Sequence, residues 1–255
     1  MNPFDLTGRV AVVTGGNGGI GLGMAAGMAA AGATIVLAGR NATKGAAAVK
    51  KIKDAGGKAE FAEVDVTSEQ SCRALIDGAA QRHGKLNILV NNAGTNIRKT
   101  PDVLALDEWR AVMDTNLTSA FVCSQAVYPH MKKAGGGKII NIGSMMTIFA
   151  APFSPAYAAS KGGIVQFARS CATAWAKDNI QVNSVLPGWI DTELTVGARQ
   201  QVEGLNERVL ARTPAGRWGD PKDFAGIAVF LASSASDFVT GTAIPIDGGY
   251  SVLIN

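Results

Sequence analysis

The chain has 255 residues, which suits one large α/β domain or two small ones, and its 47% hydrophobic and 17% charged residues supply a sizeable core and exclude a disordered chain. Its 24 Lys+Arg against 20 Asp+Glu leave a charge of +4, too small and too dispersed for a nucleic-acid binder. Two histidines and three widely spaced cysteines match no metal-ligand spacing, so no metal is expected, and core thiols in a reducing cytoplasm are.

The opening Met1-Asn2-Pro3-Phe4-Asp5 lacks the basic and apolar regions of a secretory signal. No charge occurs between Arg9 and Arg40, and Gly19, Gly23 and Gly27 imitate the small-residue stripe of a membrane helix. The stretch divides instead into an apolar β run, a glycine-rich turn, an Ala/Gly/Met helix and a second β run, so no membrane span is expected. Further strands are expected at 58–64, 86–90, 138–142, 180–185 and 243–246, after those at 9–14 and 34–38. Helices are expected near 20–31, 43–55, 68–82, 107–133, 155–177 and 221–233. Thr67-Ser-Glu-Gln70 reads as a capping box, and Ser154-Pro155 and Asp220-Pro221 each put a capping side chain before a helix-initiating proline. Apolar strands alternating with helices predict a doubly wound parallel sheet with helices on both faces, one domain over 1–255. The long irregular stretch at about 187–220 reads as a lid.

Between the first strand and first helix stands Thr14-Gly15-Gly16-Asn17-Gly18-Gly19-Ile20-Gly21. It satisfies G-x-G-x-x-G through Gly16, Gly18 and Gly21, and G-x-x-x-G-x-G through Gly15, Gly19 and Gly21. In a βαβ unit such a loop lets backbone approach a pyrophosphate at a helix N-terminus. At the end of the second strand a carboxylate would read the ribose hydroxyl of NAD and an arginine the 2′-phosphate of NADP. The chain has Gly39-Arg40 there, so Arg40 is either that reader or a solvated turn residue. Asp65, Asn91-Asn92-Ala93-Gly94, Gly143-Ser144 and Pro187-Gly188 punctuate the ends of the later strands, implying one site along the carboxyl edge. Tyr157 and Lys161 share a helix face, where an ammonium would lower the phenol from about 10 toward general acid–base range. Asn116, a mediocre helix former inside 107–133, has room for a side-chain task.

Thr14-Gly-x-x-x-Gly-Ile-Gly21, Asp65-Val66, Asn91-Asn-Ala-Gly94, Asn116, Ser144, Tyr157-x-x-x-Lys161 and Pro187-Gly188 resemble, in order and over the whole chain, the short-chain dehydrogenases/reductases. The resemblance implies a Rossmann-like fold and hydride transfer at a nicotinamide, interconverting a secondary alcohol and a ketone. It implies Tyr157 as acid/base, Ser144 on the substrate oxygen, Lys161 on the nicotinamide ribose and Asn116 on a water. Asp65 would contact adenine, and Asn91 and Gly94 would line the cofactor. The cofactor set so expected is Gly15, Asn17, Gly19, Ile20, Gly21, Arg40, Asp65, Val66, Asn92, Ala93, Gly94, Tyr157, Lys161, Pro187, Gly188, Ile190 and Thr192, with NADP(H) preferred and NAD(H) possible.

For the substrate, the 95–99 loop offers the cations Arg98 and Lys99, which are either carboxylate partners or a solvated loop. The 145–153 segment (Met145, Met146, Ile148, Phe149, Phe153) offers an apolar wall, and the expected substrate residues are Arg98, Ser144, Met146 and Tyr157. The stretches at 91–99 and 212–219 resemble the gluconate 5-dehydrogenase and 2-deoxygluconate 3-dehydrogenase branch, although the run from Gly94 to Pro101 is one residue longer than that pattern. A sugar acid or polyol is therefore the expected substrate. Steroid, tropinone-like or 3-oxoacyl reduction and a non-catalytic dinucleotide sensor are the alternatives. Surplus apolar residues on 107–133 and 155–177 (Trp109, Val112, Met113, Phe121, Val122, Phe167, Trp175) point to self-association, and the resemblance implies a homotetramer.

Overall fold

Strand β1 (Val10–Thr14) is wholly apolar up to its last residue, and all five residues are buried. A strand buried on both faces belongs in the middle of a covered sheet. It does: the computed structural model, which describes residues 2–254, orders seven strands 3-2-1-4-5-6-7, every neighbouring pair parallel. The others are β2 (Thr34–Gly39), β3 (Lys58–Glu63), β4 (Ile88–Asn91), β5 (Gly137–Ile142), β6 (Ile180–Pro187) and β7 (Ala243–Ile246). The order reverses between β1 and β4, the switch point beside which doubly wound sheets bind ligands.

Alternation along the strands builds two cores. Ala11, Val13, Ile35, Leu37, Ile88 and Val90 face one layer, which holds α1 (Gly19–Ala30), α2 (Ala42–Asp54) and α9 (Ala225–Ala232). Val10, Val12, Val36 and Leu89 face the other, with α3 (Glu69–His83), α5 (Ser119–Lys133) and α6 (Pro155–Trp175). The glycine stripe of α1 serves this packing: a Cβ on Gly27 would lie 2.7 Å from Ala225 Cα, and one on Gly23 would collide with Pro221. No helix among the described residues is long and apolar enough to cross a membrane.

Several expectations need correction. The stretch at 187–220 is not irregular, because it contains α7 (Glu193–Gln201) and α8 (Leu205–Arg212). The helix expected at 107–133 is three pieces: α4 (Leu106–Met113), a π-helical turn Asp114–Thr118, and α5. Thr67 builds no capping box; Ser68 caps α3 by accepting from Ser71 N, while Thr67 donates to Asp65. Ser154 makes no cap bond and accepts from Asn96 Nδ2 instead, whereas Asp220 does cap, accepting from Lys222 N at 2.8 Å. Of the surplus apolar residues, Val112 and Val122 are core, and Phe121 stays exposed against Phe167.

Candidate active site

The glycine loop resolves the two registers. Gly15 and Gly19 take φ of +62° and +51°, a region that L side chains rarely enter. A Cβ on Gly21 would sit 2.7 Å from Gly15 O and against the Asn92 amide. Gly18 is extended and faces open space, so the constrained set is G-x-x-x-G-x-G. No side chain caps α1, which leaves its first amides free for an anion. Ile20 lies within this first turn, and Asn17 packs its amide against Gly39. This cradle fits a dinucleotide pyrophosphate.

Around it, Thr14 Oγ1 accepts from the amides of Asn92 and Ala93, both at 3.1 Å, and Asn92 Nδ2 donates to Thr14 O and Gly15 O. Thr14 is thus a positioning residue that the sequence reading passed over. Arg40 is exposed at the end of β2, and its charge reaches Asp65 at the end of β3. The hydroxyl and amide of Thr67 hold the Asp65 carboxyl below its usual range, with a smaller pull from Arg40. Val66 is partly buried against the α3–α5 core. Asn91 corrects the expectation that it lines a cofactor: it is buried, and its side chain donates to Ser124 and Asn141. Pro187 ends β6, and Gly188 is a glycine because Asp247 Cα would lie 2.7 Å from a Cβ there. Ile190 puts its side chain into the core, while Thr192 Cγ2 lies 3.3 Å from the Cβ position of Gly19. The start of the 187–220 segment therefore rests on the glycine loop, tied further by the Lys44–Glu193 ion pair.

The π turn, the end of β5 and helix α6 bring Asn116, Ser144, Tyr157 and Lys161 together. The π turn directs the buried Asn116 inward; it accepts from Thr95 N at 2.8 Å and donates to Ser160 Oγ at 3.0 Å. Ser160 in turn donates to Tyr157 O at 2.8 Å. It links Asn116 to the tyrosine turn, a role its position between Tyr157 and Lys161 concealed. Gly94 closes the group, with a Cβ there 3.5 Å from Asn116 Oδ1 and 3.7 Å from Lys161 Nζ. Lys161 Nζ donates to Ile142 O at 2.6 Å and lies 5.6 Å from the Tyr157 ring centroid. Ser144 Oγ accepts from Met146 N.

Charge departs from the sequence reading here. Burial pushes the Tyr157 phenol up, and the Ser144 hydroxyl and, less strongly, the Arg98 guanidinium pull it back. Burial also takes Lys161 down to about 8. A phenol so held is protonated at neutral pH and able to donate, and oxidation in the reverse sense needs it ionised.

Of the two loop cations, Arg98 faces this group. Burial lowers its pKa and Tyr157 raises it, while Nη1 donates to Gln201 Oε1 on α7 at 3.1 Å. Lys99 is the correction: it is exposed and bound to Glu108 at 2.6 Å, so it offers a substrate nothing. The apolar wall also shrinks. Met145 is core and Ile148 is exposed, leaving Met146 and Phe149 partly buried beside Tyr250. A groove of about 640 Å³ at the opposite, amino edge of the sheet, lined by Arg9, Asp77 and Lys85 among others, contains none of these residues.

Residues 15–251 match the family model described as enoyl-(acyl carrier protein) reductase. The chain is 40% identical over 248 residues to the 2-dehydro-3-deoxy-D-gluconate 5-dehydrogenase of Formosa agariphila, covering 96% of this chain and 94% of that one. The chain belongs to the short-chain dehydrogenase/reductase family. Another short-chain relative, the gluconate 5-dehydrogenase of Gluconobacter oxydans, is 40% identical over 98% of this chain and 97% of its own. The structure of a gluconate 5-dehydrogenase from Burkholderia cenocepacia in complex with NADP and tartrate superposes with a TM-score of 0.93 at 42% identity, covering 99% of both chains. The Rossmann-like doubly wound sheet is common to them.

Proposed function

We propose that this short-chain dehydrogenase/reductase interconverts a secondary alcohol and a ketone on a gluconate-type sugar acid, using NADP(H) in preference to NAD(H). The observation that carries the proposal is a guanidinium, Arg98, held by Gln201 of α7 on the loop after β4, close enough for its charge to oppose the upward push of burial on the Tyr157 phenol. A cation beside the proton donor selects an anionic substrate. The sugar-acid dehydrogenases among the relatives and the NADP in the Burkholderia structure support it.

When bound, the nicotinamide supplies or accepts the hydride. The chain's own residues do the rest. Tyr157 gives its proton to the carbonyl oxygen as that oxygen becomes an alcohol, and Ser144 donates a hydrogen bond to the charge developing there. Lys161 holds the nicotinamide ribose, and Asn116 anchors a water through which Tyr157 is reprotonated. Gly15, Asn17, Gly19, Ile20 and Gly21 would hold the pyrophosphate, Asp65 and Val66 the adenine, and Arg40 the 2′-phosphate. Asn92, Ala93, Gly94, Pro187, Gly188, Ile190 and Thr192 would hold the nicotinamide half. Met146 forms the apolar wall. The chain is one catalytic domain whose 187–220 segment closes over the substrate. We assign it a homotetrameric state, resting on exposed Phe121, the open edge β7 and exposed Val252 and Ile254.

The test is NADPH-dependent reduction of a keto-sugar acid, a steroid ketone and a 3-oxoacyl thioester, compared by kcat/KM. The keto-sugar acid should lead, and Tyr157→Phe should abolish turnover by at least about a hundredfold with NADPH affinity intact. A preference for either uncharged ketone rejects the assignment.

A further inference from the structure

Arg212, the last residue of α8, is set unlike the other arginines near the site. Its guanidinium carbon lies 4.8 Å from the ring centroid of Phe149 and 4.6 Å from that of Tyr250, in the notch between two rings inclined at 74°. Its Nε is buried and has no hydrogen-bond partner among the described residues. Arg98, Arg199 and Arg217, by contrast, donate to Gln201, Asp191 and Asp223. Aromatic rings satisfy the face of a guanidinium but not its five in-plane N–H groups, which need acceptors once water is excluded. Of that fork the Nε is buried without an acceptor, which is unfavourable unless one arrives.

The notch belongs to the active-site edge. Phe149 lies on the segment joining Ser144 to the Tyr157 helix, beside Met146. Tyr250 follows the carboxyl end of β7, and Ala215 N, just past Arg212, donates to Gly248 O in the same turn. The next strand end is that of β6, where Gly188 meets Asp247.

We infer that Arg212 is a second substrate-reading residue, which takes an oxygen at the end of an open-chain sugar acid remote from Arg98. The inference rests on the sugar-acid reading above, with Arg98 on the carboxylate. On this inference a six-carbon keto acid engages both arginines, whereas a four-carbon keto acid engages Arg98 and Tyr157 alone. The residue therefore sets chain length, and Tyr157 still performs the proton transfer.

Arg212→Met keeps an unbranched apolar side chain against the rings and removes the donors. Its kcat/KM for a six-carbon keto-sugar acid should fall about ten- to a hundredfold, mostly through KM, with a four-carbon keto acid changed less than about twofold. Equal losses on both substrates would make Arg212 a packing residue only, and no loss on the longer one would remove it from recognition; either overturns the inference. Arg212→Lys, which keeps the charge but not the fork, should show a smaller loss confined to the longer acid, and it carries the same test if the methionine variant does not fold. Arg98→Ala separates the two readings. It should impair both acids, and if it impairs neither, the carboxylate assignment fails while the chain-length comparison at Arg212 still decides its own case.

Discussion

Lys161 is 3% exposed, and burial alone moves it from an ordinary 10.5 to about 8. Below pH 8 the native protein therefore holds an ammonium group away from water, and between pH 8 and 10.5 the unfolded chain binds the proton that the folded one has released. Where the unfolded state binds more protons, stability rises with pH. Lys161→Met has nothing to titrate at that site, and its loss of the 2.6 Å bond to Ile142 O is a constant offset. Subtracting the two proteins cancels every shared group, so the wild type should gain about 2–3 kcal/mol relative to the variant between pH 7 and pH 10. The assay is urea unfolding of both at fixed protomer concentration, in steps of pH. A difference that stays flat across that range would mean that the lysine is not depressed. One that shrank would mean that a buried partner holds it charged.

Arg40→Ala should raise the KM for NADPH far more than that for NADH, and equal effects would leave Arg40 a solvated turn residue. Arg98→Ala should cost about ten- to a hundredfold in kcat/KM on a keto-sugar acid and much less on an uncharged ketone of similar size. Because Arg98 pulls the Tyr157 phenol down, the same variant should move the rising, acid-side limb of the oxidative pH profile to higher pH; a shift to lower pH contradicts the pairing. Light scattering at micromolar concentration should give four times the protomer mass, and a monomer would remove the proposed assembly.

Strand positions and the juxtaposition of Tyr157 with Lys161 were legible because both are written locally. A run such as Val10–Thr14 states its own burial, and Tyr157 and Lys161 are one helical turn apart. Two things were not local. Helices α7 and α8 have nine and eight residues, too short to be stable alone. They form because Ala198, Leu205 and Val209 make a small core with Trp189 and Trp218, partners that no sequence window contains together. The glycine register was hidden for a related reason. Both patterns fit the string, and only the folded backbone, through positive φ at Gly15 and Gly19 and crowding at Gly21, selects one.

The cations show the same limit with more consequence. Arg98 and Lys99 are adjacent in sequence, yet Lys99 is bound to Glu108 while Arg98 turns toward Tyr157 and the α7 helix. Lys161, at the spacing that invites a tyrosine–lysine pair, directs its ammonium to Ile142 O. The cation that opposes the upward push of burial on the phenol is thus the one proposed to read the substrate's carboxylate. A carboxylate on Arg98 offsets the charge that Tyr157 feels, which favours the protonated phenol when an acid substrate is in place. An uncharged ketone leaves Arg98 uncompensated and the phenol easier to ionise. Selection for an acid then acts on proton donation as well as on binding, and this is why Arg98→Ala is read by its pH profile as well as by its kcat/KM.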